Sequence, residues 1–425
     1  MAHAKKPKLE REQLRGLKHL RRITGLLQCL HDDATARDKA HNRILFFDQY
    51  AALVLLAMFT PAIDSLRAIQ QASAMPKVRK LLGCSRVSLG SLSEAARVFD
   101  PSLLQGVIAE LSQELLPLAK DPRLKDVKKT LTLCDGTLLA ALPRLAESMW
   151  KHSRTGNVMH GWRMHCQFEL ERYVPTDVQL TPYRCQGDEQ TVLQKSLQSG
   201  RCYVMDRGYF NYQLFDAIVN AASDYVCRVR KNIGYDLVEE RALTREAKEA
   251  GVTRDVMVNA GSGKDRHAAH PLRLIEVHAE VQPRGARGEG KPQLPPRTEV
   301  LLIATNLLDV PAEIIALIYR YRWSRGGEAS TIELFFRFFK QILGCRHLIS
   351  DDPDGITIQC YCAVIAAMLL QLWSGKKPSK EMHRLIGFYL SGWCEEDDVL
   401  AWINKPDNTG VKLRARDAYF KSIGF

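Results

Sequence analysis

Three carboxylates in this 425-residue chain, Asp135, Asp206 and Glu333, stand where their types and spacing could do chemistry. Glu333, Arg337 and Lys340 follow at spacings of four and three, which on a helix puts them on one face. Leu334, Phe335, Phe338 and Phe339 form an apolar stripe on the opposite side, fit for a core. Asp135 closes the β-prone run Thr130–Cys134 and opens Asp-Gly-Thr, while Asp206 closes the apolar run Cys202–Met205 and opens Asp-Arg-Gly. Carboxylates at the ends of neighbouring strands occupy the usual ligand position of an α/β sheet. With Glu333 from a helix packed on that sheet, the three converge. Oxygen-only ligands suit magnesium or manganese. Two such ions about 3.5–4 Å apart activate a water or hydroxyl and stabilise the leaving oxygen of a phosphodiester. Taken singly, each aspartate reads as a turn former and the Glu333 helix as a solvated amphipathic surface. Only the set points to a site.

The elements that must position this set divide the chain by texture. Residues 1–120 read as all helical, with a basic arm carrying Lys5, Lys6, Lys8, Arg11, Arg15, Lys18, Arg21 and Arg22. Within it, Pro76–Pro101 reads as helix, a turn at Gly83, and a second helix opening near Ser91 with a Ser91–Glu94 capping box. A helix-turn-helix there directs Arg97 toward DNA; an ordinary helical pair is the competing reading. From Lys128 strands take over. Trp162–Leu170 alternates strictly, with Trp162, Met164, Cys166, Phe168 and Leu170 on one face and Arg163, His165, Gln167 and Glu169 on the other, the pattern of a half-buried strand. Val178–Thr181 follows a turn at Pro175-Thr176-Asp177, then helix, strand, helix and strand, an α/β order with a mixed sheet. The expected organisation is a helical DNA-binding domain at 1–120 and a core split between 121–231 and 306–375. A β-rich insertion at 232–305 separates the halves, and a tail runs over 376–425.

Composition narrows the partner. A net charge of +12 and a pI near 9.1 favour a polyanion, nucleic acid before membrane. The 11 cysteines include no Cys-x-x-Cys pair, and Cys360 and Cys362 are too close for a zinc site, so they read as reduced thiols of a cytoplasmic protein. The charged N-terminus lacks the apolar stretch of a secretory signal. Two apolar runs, Ile44–Phe59 and Ile356–Trp373, carry interior polar residues such as Asp48, Gln359 and Gln371 and read as buried helices; no membrane partner is expected.

Together LCDGT at Asp135, VMDRGYF at Asp206, and Y-x2-R…E-x6-K through Tyr319, Arg322, Glu333 and Lys340 resemble the DDE transposases of bacterial insertion sequences. Within these the likeness is to the Tyr-Arg-Glu-Lys signature group, from about Ser65 to Trp373. The resemblance implies a ribonuclease-H-like core, a mixed five-stranded sheet with helices, carrying a β-rich insertion and an all-helical N-terminal domain. It implies that Asp135, Asp206 and Glu333 are catalytic and hold two Mg2+ ions, with Mn2+ able to substitute. Tyr319, Arg322 and Lys340 would hold element-end phosphates, supported by Trp323 and joined by Arg337 on the same helix face. The implied activity is cut-and-paste transposition through hairpin ends. The implied partners are double-stranded DNA, as terminal inverted repeats and target, and a second copy of the chain in a homodimer on paired ends, in the bacterial nucleoid. Two further readings stand beside it: a catalytically impaired DNA-binding relic, and a two-metal DNA nuclease without strand transfer.

One departure from the group is plain. Three residues separate the arginine from the glutamate in the family, whereas ten do here, Trp323 to Ile332. Seven extra residues inserted as helix would nearly keep phase, two turns being about 7.2 residues, yet would move Glu333 roughly 10 Å along the axis. Gly326-Gly327 argues for a loop instead. The expectation is that Glu333 keeps its place beside Lys340, while Arg322 is displaced or the insert loops out.

Overall fold

The structure, a computed structural model, describes residues 25–33, 37–38, 43–60, 62–118, 121–140, 149–151, 158–182, 189–261, 267–281, 297–322, 331–345, 348–350 and 352–405. The basic arm, the Pro/Gly/Arg-rich loop before residue 297, Trp323 with the remainder of the insert to residue 330, and the basic end of the tail lie outside the described residues.

After a single helical turn at Leu30–Asp33 come five helices: α1 (Phe47–Phe59), α2 (Leu66–Ala74), α3 (Pro76–Leu82), α4 (Leu89–Val98) and α5 (Leu103–Glu114). Helix α1 is apolar nearly all round and is therefore buried nearly all round. Proline opens α3, and Gly83, at φ 59°, closes it in the left-handed conformation that suits a residue without Cβ. The start of α4 differs from the expected capping box at Ser91. Ser88 is the cap, its hydroxyl accepting from the Ser91 N–H at 3.0 Å. Buried Val87, whose N–H donates to the Ser73 hydroxyl at 3.1 Å, fixes the chain just before it. Arg97 is 74% exposed and lies 3.5 Å from Asp352.

The sheet holds β1 (Thr130–Ala140), β2 (Met149–Lys151), β3 (Val158–Glu169) and β4 (Val174–Pro182), then helix α6 (Glu189–Lys195), β5 (Arg201–Met205), helix α7 (Tyr212–Asn220) and β6 (Asp224–Val229). Beyond it lie β7 (Tyr235–Glu240), α8 (Arg245–Glu249), β8 (Val252–Ala260), β9 (Leu272–Val281) and β10 (Arg297–Thr305). Strand β3 has β2 and β4 on one side and β1 on the other; from β1 the order runs β5, β6, β10, β9, β8, β7. Strands β5 and β6 run parallel to β1, and β3 and β4 antiparallel to their neighbours. The insertion thus continues the main sheet, since β10 pairs directly with β6. The sheet has ten strands where five were expected of the core alone. The turn into β4 falls at Tyr173, φ 55°, three residues ahead of Thr176 in the expected Pro175-Thr176-Asp177 turn.

Strand β3 is buried on both faces, not half-buried. Three of its polar side chains are buried and engaged: His165 Nε2 pairs with the Thr181 hydroxyl at 2.9 Å, Gln167 donates to Asp177 and Ser196, and Glu169 pairs with Arg172 and Arg201. Helix α6 and strand β4 supply this cover, which alternation alone could not reveal.

Helix α9 (Ala312–Arg322) is steered by Thr305 and Asn306. The Thr305 hydroxyl donates to the Tyr225 carbonyl at 2.6 Å, and Asn306 accepts from the Tyr225 N–H and donates to Asp224. Helices α10 (Thr331–Gln341), α11 (Pro353–Ser374), α12 (Lys380–Leu390) and α13 (Glu396–Ile403) complete the described chain. Helix α11 is long and apolar enough to cross a membrane, but 89% of that stretch is buried against the other elements. It carries the main core, which runs without a break from Leu27 in the N-terminal helices to Ile403.

Candidate active site

Asp135 lies inside β1, two residues beyond Leu133, whose pairing with Val204 is the last rung of the parallel ladder. The expectation that the strand stops at Asp135 is corrected: β1 continues to Ala140 against β3 after β5 has ended. Asp135 therefore still stands at a strand end, that of its neighbour. Asp206 is the residue after β5. Its Oδ1 accepts from the Gly208 N–H at 2.8 Å and caps the single 3-10 turn Arg207–Tyr209, which leaves Oδ2 to face the cleft.

Arg322, the last residue of α9, joins the two. One guanidinium nitrogen lies 2.9 Å from Asp135 Oδ1 and 3.2 Å from Asp206 Oδ2, and Nε donates to the Cys134 carbonyl at 3.4 Å. The expected displacement of Arg322 does not occur, because α9 docks through Ile315, Ile318 and Tyr319 onto β5 and β6, and this packing does not depend on the insert. The path of the insert falls outside the described residues. Tyr319, one turn earlier on the same helix face, is 2% exposed and lies in the core beneath the cleft, away from any surface where a phosphate could reach it.

Helix α10 carries Glu333 in its first turn and Lys340 in its last. Ile332, Phe335, Phe338 and Phe339 are buried, with the Phe335 ring 5.1 Å from Phe168 of β3. Here the expected stripe needs one change: Leu334 is 45% exposed, and Phe336 turns inward in its place. Asp135, Asp206, Arg322, Glu333, Arg337 and Lys340 line one open cleft of about 480 Å3, with Phe336 on its wall.

The electrostatics separate the members. Burial pushes the Asp135 carboxyl up; Arg322 pulls it back only in part, and Asp206 and Glu333 push the same way as burial. For Arg322 burial alone would weaken the charge, but Asp135 and Asp206 outweigh it and keep the guanidinium firmly protonated. Among the described residues no three His, Cys, Asp or Glu side chains are gathered closely enough to hold a metal ion as they stand. Glu333 meets the cleft from its exposed rim, and a guanidinium stands between the aspartates. The donor set still fits a hard cation: carboxylate oxygens from two strands already converge on one positive charge.

Two further residues belong to this centre. Glu189, at the start of α6, pairs with Arg163 of β3 at 2.9 Å and reaches both glycines that come after the aspartates. Burial pushes its carboxyl up, Arg163 opposes, and Asp206 and Asp135 add to the rise. Arg163 could be read from the sequence as a polar-face residue of β3. Glu189 could not, since nothing in Gly187-Asp188-Glu189-Gln190 carries a period.

The sequence matches the family described as Transposase DDE domain over residues 127–369, more than half the chain. A relative named as the transposase y4zB of Sinorhizobium fredii is 27% identical over 221 residues, 52% of this chain and 55% of that protein. Another, named as the transposase for insertion sequence element IS5377 of Geobacillus stearothermophilus, is 26% identical over 230 residues, 54% and 53% of the two. The chain spans about half the length of these relatives. A third, named for element IS4SA of Synechocystis sp., is 21% identical over 326 residues, 75% and 82% of the two. A cryo-EM structure of the piggyBac transposase synaptic complex with hairpin DNA aligns over 96% of this chain and 86% of that one, at 12% identity and a TM-score of 0.34, too low to establish a common fold. From the extent of the family match, which takes in both aspartates, Arg322, Glu333 and Lys340, the chain belongs to the family of transposases with a DDE domain.

Proposed function

We propose that this protein moves an insertion sequence by cut-and-paste transposition, cleaving and rejoining DNA phosphodiesters at Asp135, Asp206 and Glu333. The observation that carries the reading is the meeting of Asp135 and Asp206 on one cation, 2.9 and 3.2 Å away, in a cleft that Glu333 also lines. The order β4-β3-β1-β5-β6, with β5 and β6 parallel to β1, supports a ribonuclease-H-like core of the Tyr-Arg-Glu-Lys group. Asp135, Asp206 and Glu333 would hold two divalent ions, magnesium or manganese, which supply an activated water or hydroxyl and stabilise the leaving oxygen.

The chain's own residues divide the remaining work. Arg322 holds two close carboxylates together across its guanidinium. Arg337 and Lys340, on the α10 face beside Glu333, would take the phosphates of an element end. Tyr319 packs under Arg322 and orients it from within the core. The segment Ser65–Ser88 carries Arg67, Lys77, Arg79, Lys80 and Arg86, all exposed, with no acidic residue among them, and supports duplex DNA binding by the N-terminal helices. A homodimer on paired ends completes the reading.

The test is cleavage and joining of terminal-repeat DNA by the purified chain in magnesium or manganese. Nicked and joined products that vanish with Asp135→Ala support the reading, and nicks without joined products point to a nuclease. The Arg322 clamp on both aspartates favours a second reading, a binding-competent relic. That protein would shift end-containing DNA in a gel and never cut it, and a version lacking Arg325–Thr331 would regain cleavage.

A further inference from the structure

Side chains alternate across a strand, so Asp135 faces the α9 side of the sheet and Gly136 the α6 side. Asp135 accordingly meets Arg322 of α9, while Glu189 of α6 occupies the space in front of Gly136. A Cβ at Gly136 would come within 3.1 Å of Glu189 Oε1. A Cβ at Gly208 would come within 2.6 Å of Glu189 Oε2 and within 3.0 Å of Asp206 Oδ1. The two glycines therefore open a window through the rim of the sheet. Through it a carboxylate from the opposite face reaches the same small space as Asp206. Arg163 takes Oε1 at 2.9 Å. Bringing a second carboxylate against Asp206 is unfavourable in the ion-free protein. An arrangement held against that repulsion by a dedicated arginine serves a positive charge that arrives later.

We propose that Glu189 is a fourth carboxylate of the divalent-cation centre, a positioning residue that Arg163 holds beside Asp206 and that raises the centre's affinity for the ion. This rests on the reading of Asp135 and Asp206 as cation ligands. Bound Mn2+ is measured on the full chain, without DNA, from the loss of the free-ion EPR signal. Thermal melting is recorded without metal. Glu189→Gln is expected to weaken Mn2+ binding about tenfold, the effect of one full charge removed a few ångströms from the ion. Glu189→Asp, which keeps the charge one methylene further back, is expected to weaken it less. The metal-free melting temperature of Glu189→Gln is expected to stay level or rise, because like charge beside Asp206 is relieved.

A purely structural Glu189–Arg163 pair gives the opposite result, a lower metal-free melting temperature with Mn2+ affinity unchanged, and that outcome overturns the proposal. A loss of affinity that disappears when the measurement is cooled well below melting overturns it too. Asp206→Asn is the control for the underlying reading. If it weakens Mn2+ binding and Glu189→Gln does not, Glu189 alone is excluded. If neither does, the two-ion reading falls and the proposal with it.

Discussion

The two sides of the cleft are built by different means. Asp135 and Asp206 are set by backbone pairing of β1 and β5, are partly covered, and are tied by a buried arginine. Glu333, Arg337 and Lys340 are carried by a helix whose opposite, apolar face packs on the core, and Glu333 and Arg337 are exposed. Backbone pairing fixes a side chain to within the pleat, whereas α10 is placed by the fit of its phenylalanines into the core. The sheet side is thus a carboxylate pair with its own counter-ion, and the helix side a set of charges on the same cleft. That difference accounts for three carboxylates that share a cleft without forming, among the described residues, a ready ion cage.

The strongest way to break this picture is on the sheet side. Asp135→Ala is expected to reduce single-turnover cleavage of terminal-repeat DNA by about a thousandfold while leaving gel-shift affinity for the same DNA intact. On the helix side, Glu333→Gln should lower cleavage about a hundredfold. Its denaturant stability should move by no more than about 0.5 kcal/mol, since the residue is exposed. A stability loss as large as that of a core mutant would show that Glu333 is structural. Arg322→Ala tests the tie itself. Breaking a buried pair costs up to about 3–5 kcal/mol, but Asp206 is 40% exposed, so about 2 kcal/mol is expected from urea unfolding without metal. Added Mn2+ should restore more of that in the variant than it adds to the parent, because it replaces a missing positive charge. The smallest effect is expected at Lys340→Ala, a shallower salt dependence of DNA affinity by roughly one unit of log–log slope. An unchanged slope would place Lys340 away from the backbone.

Much of this architecture is legible in the sequence because the relevant signals are local. The run Cys202–Met205 ending in Asp206, the apolar length of α11 and the phenylalanines of α10 each announce their element within a few residues. The signals that fail are non-local. Asp135 reads as the end of its strand because Gly136-Thr137 resembles a turn, yet β3 supplies partners as far as Ala140. Arg322 reads as displaced, or the insert as looped out, because the insert stretches its distance to Glu333 in sequence; Arg322 itself is placed by α9 and the Thr305-Asn306 stitch upstream. Strand β7 is almost wholly solvent-facing, and so carries little of the apolar alternation that marks a half-buried strand. Glu189 is invisible in the sequence because the space it fills is left open by Gly136 of β1 and Gly208 of the turn after β5, both distant along the chain.

The pairing of β10 with β6 also sets an order of assembly. Strand β6 can join β5 as soon as it is made, but α9 comes after β10, and β10 closes only after the whole insertion has been synthesised and β9 laid beside it. Chains fold from the N-terminus as they emerge, and closing a long loop is slow compared with local pairing. Until then Asp135 and Asp206 are brought together by the β1–β5 pairing without Arg322, two like charges lacking that counter-ion. The half-made protein therefore has an incomplete centre and an unpaired strand edge at β6. Arrival of the arginine is the event that makes this carboxylate cleft cohere, and it comes late in synthesis.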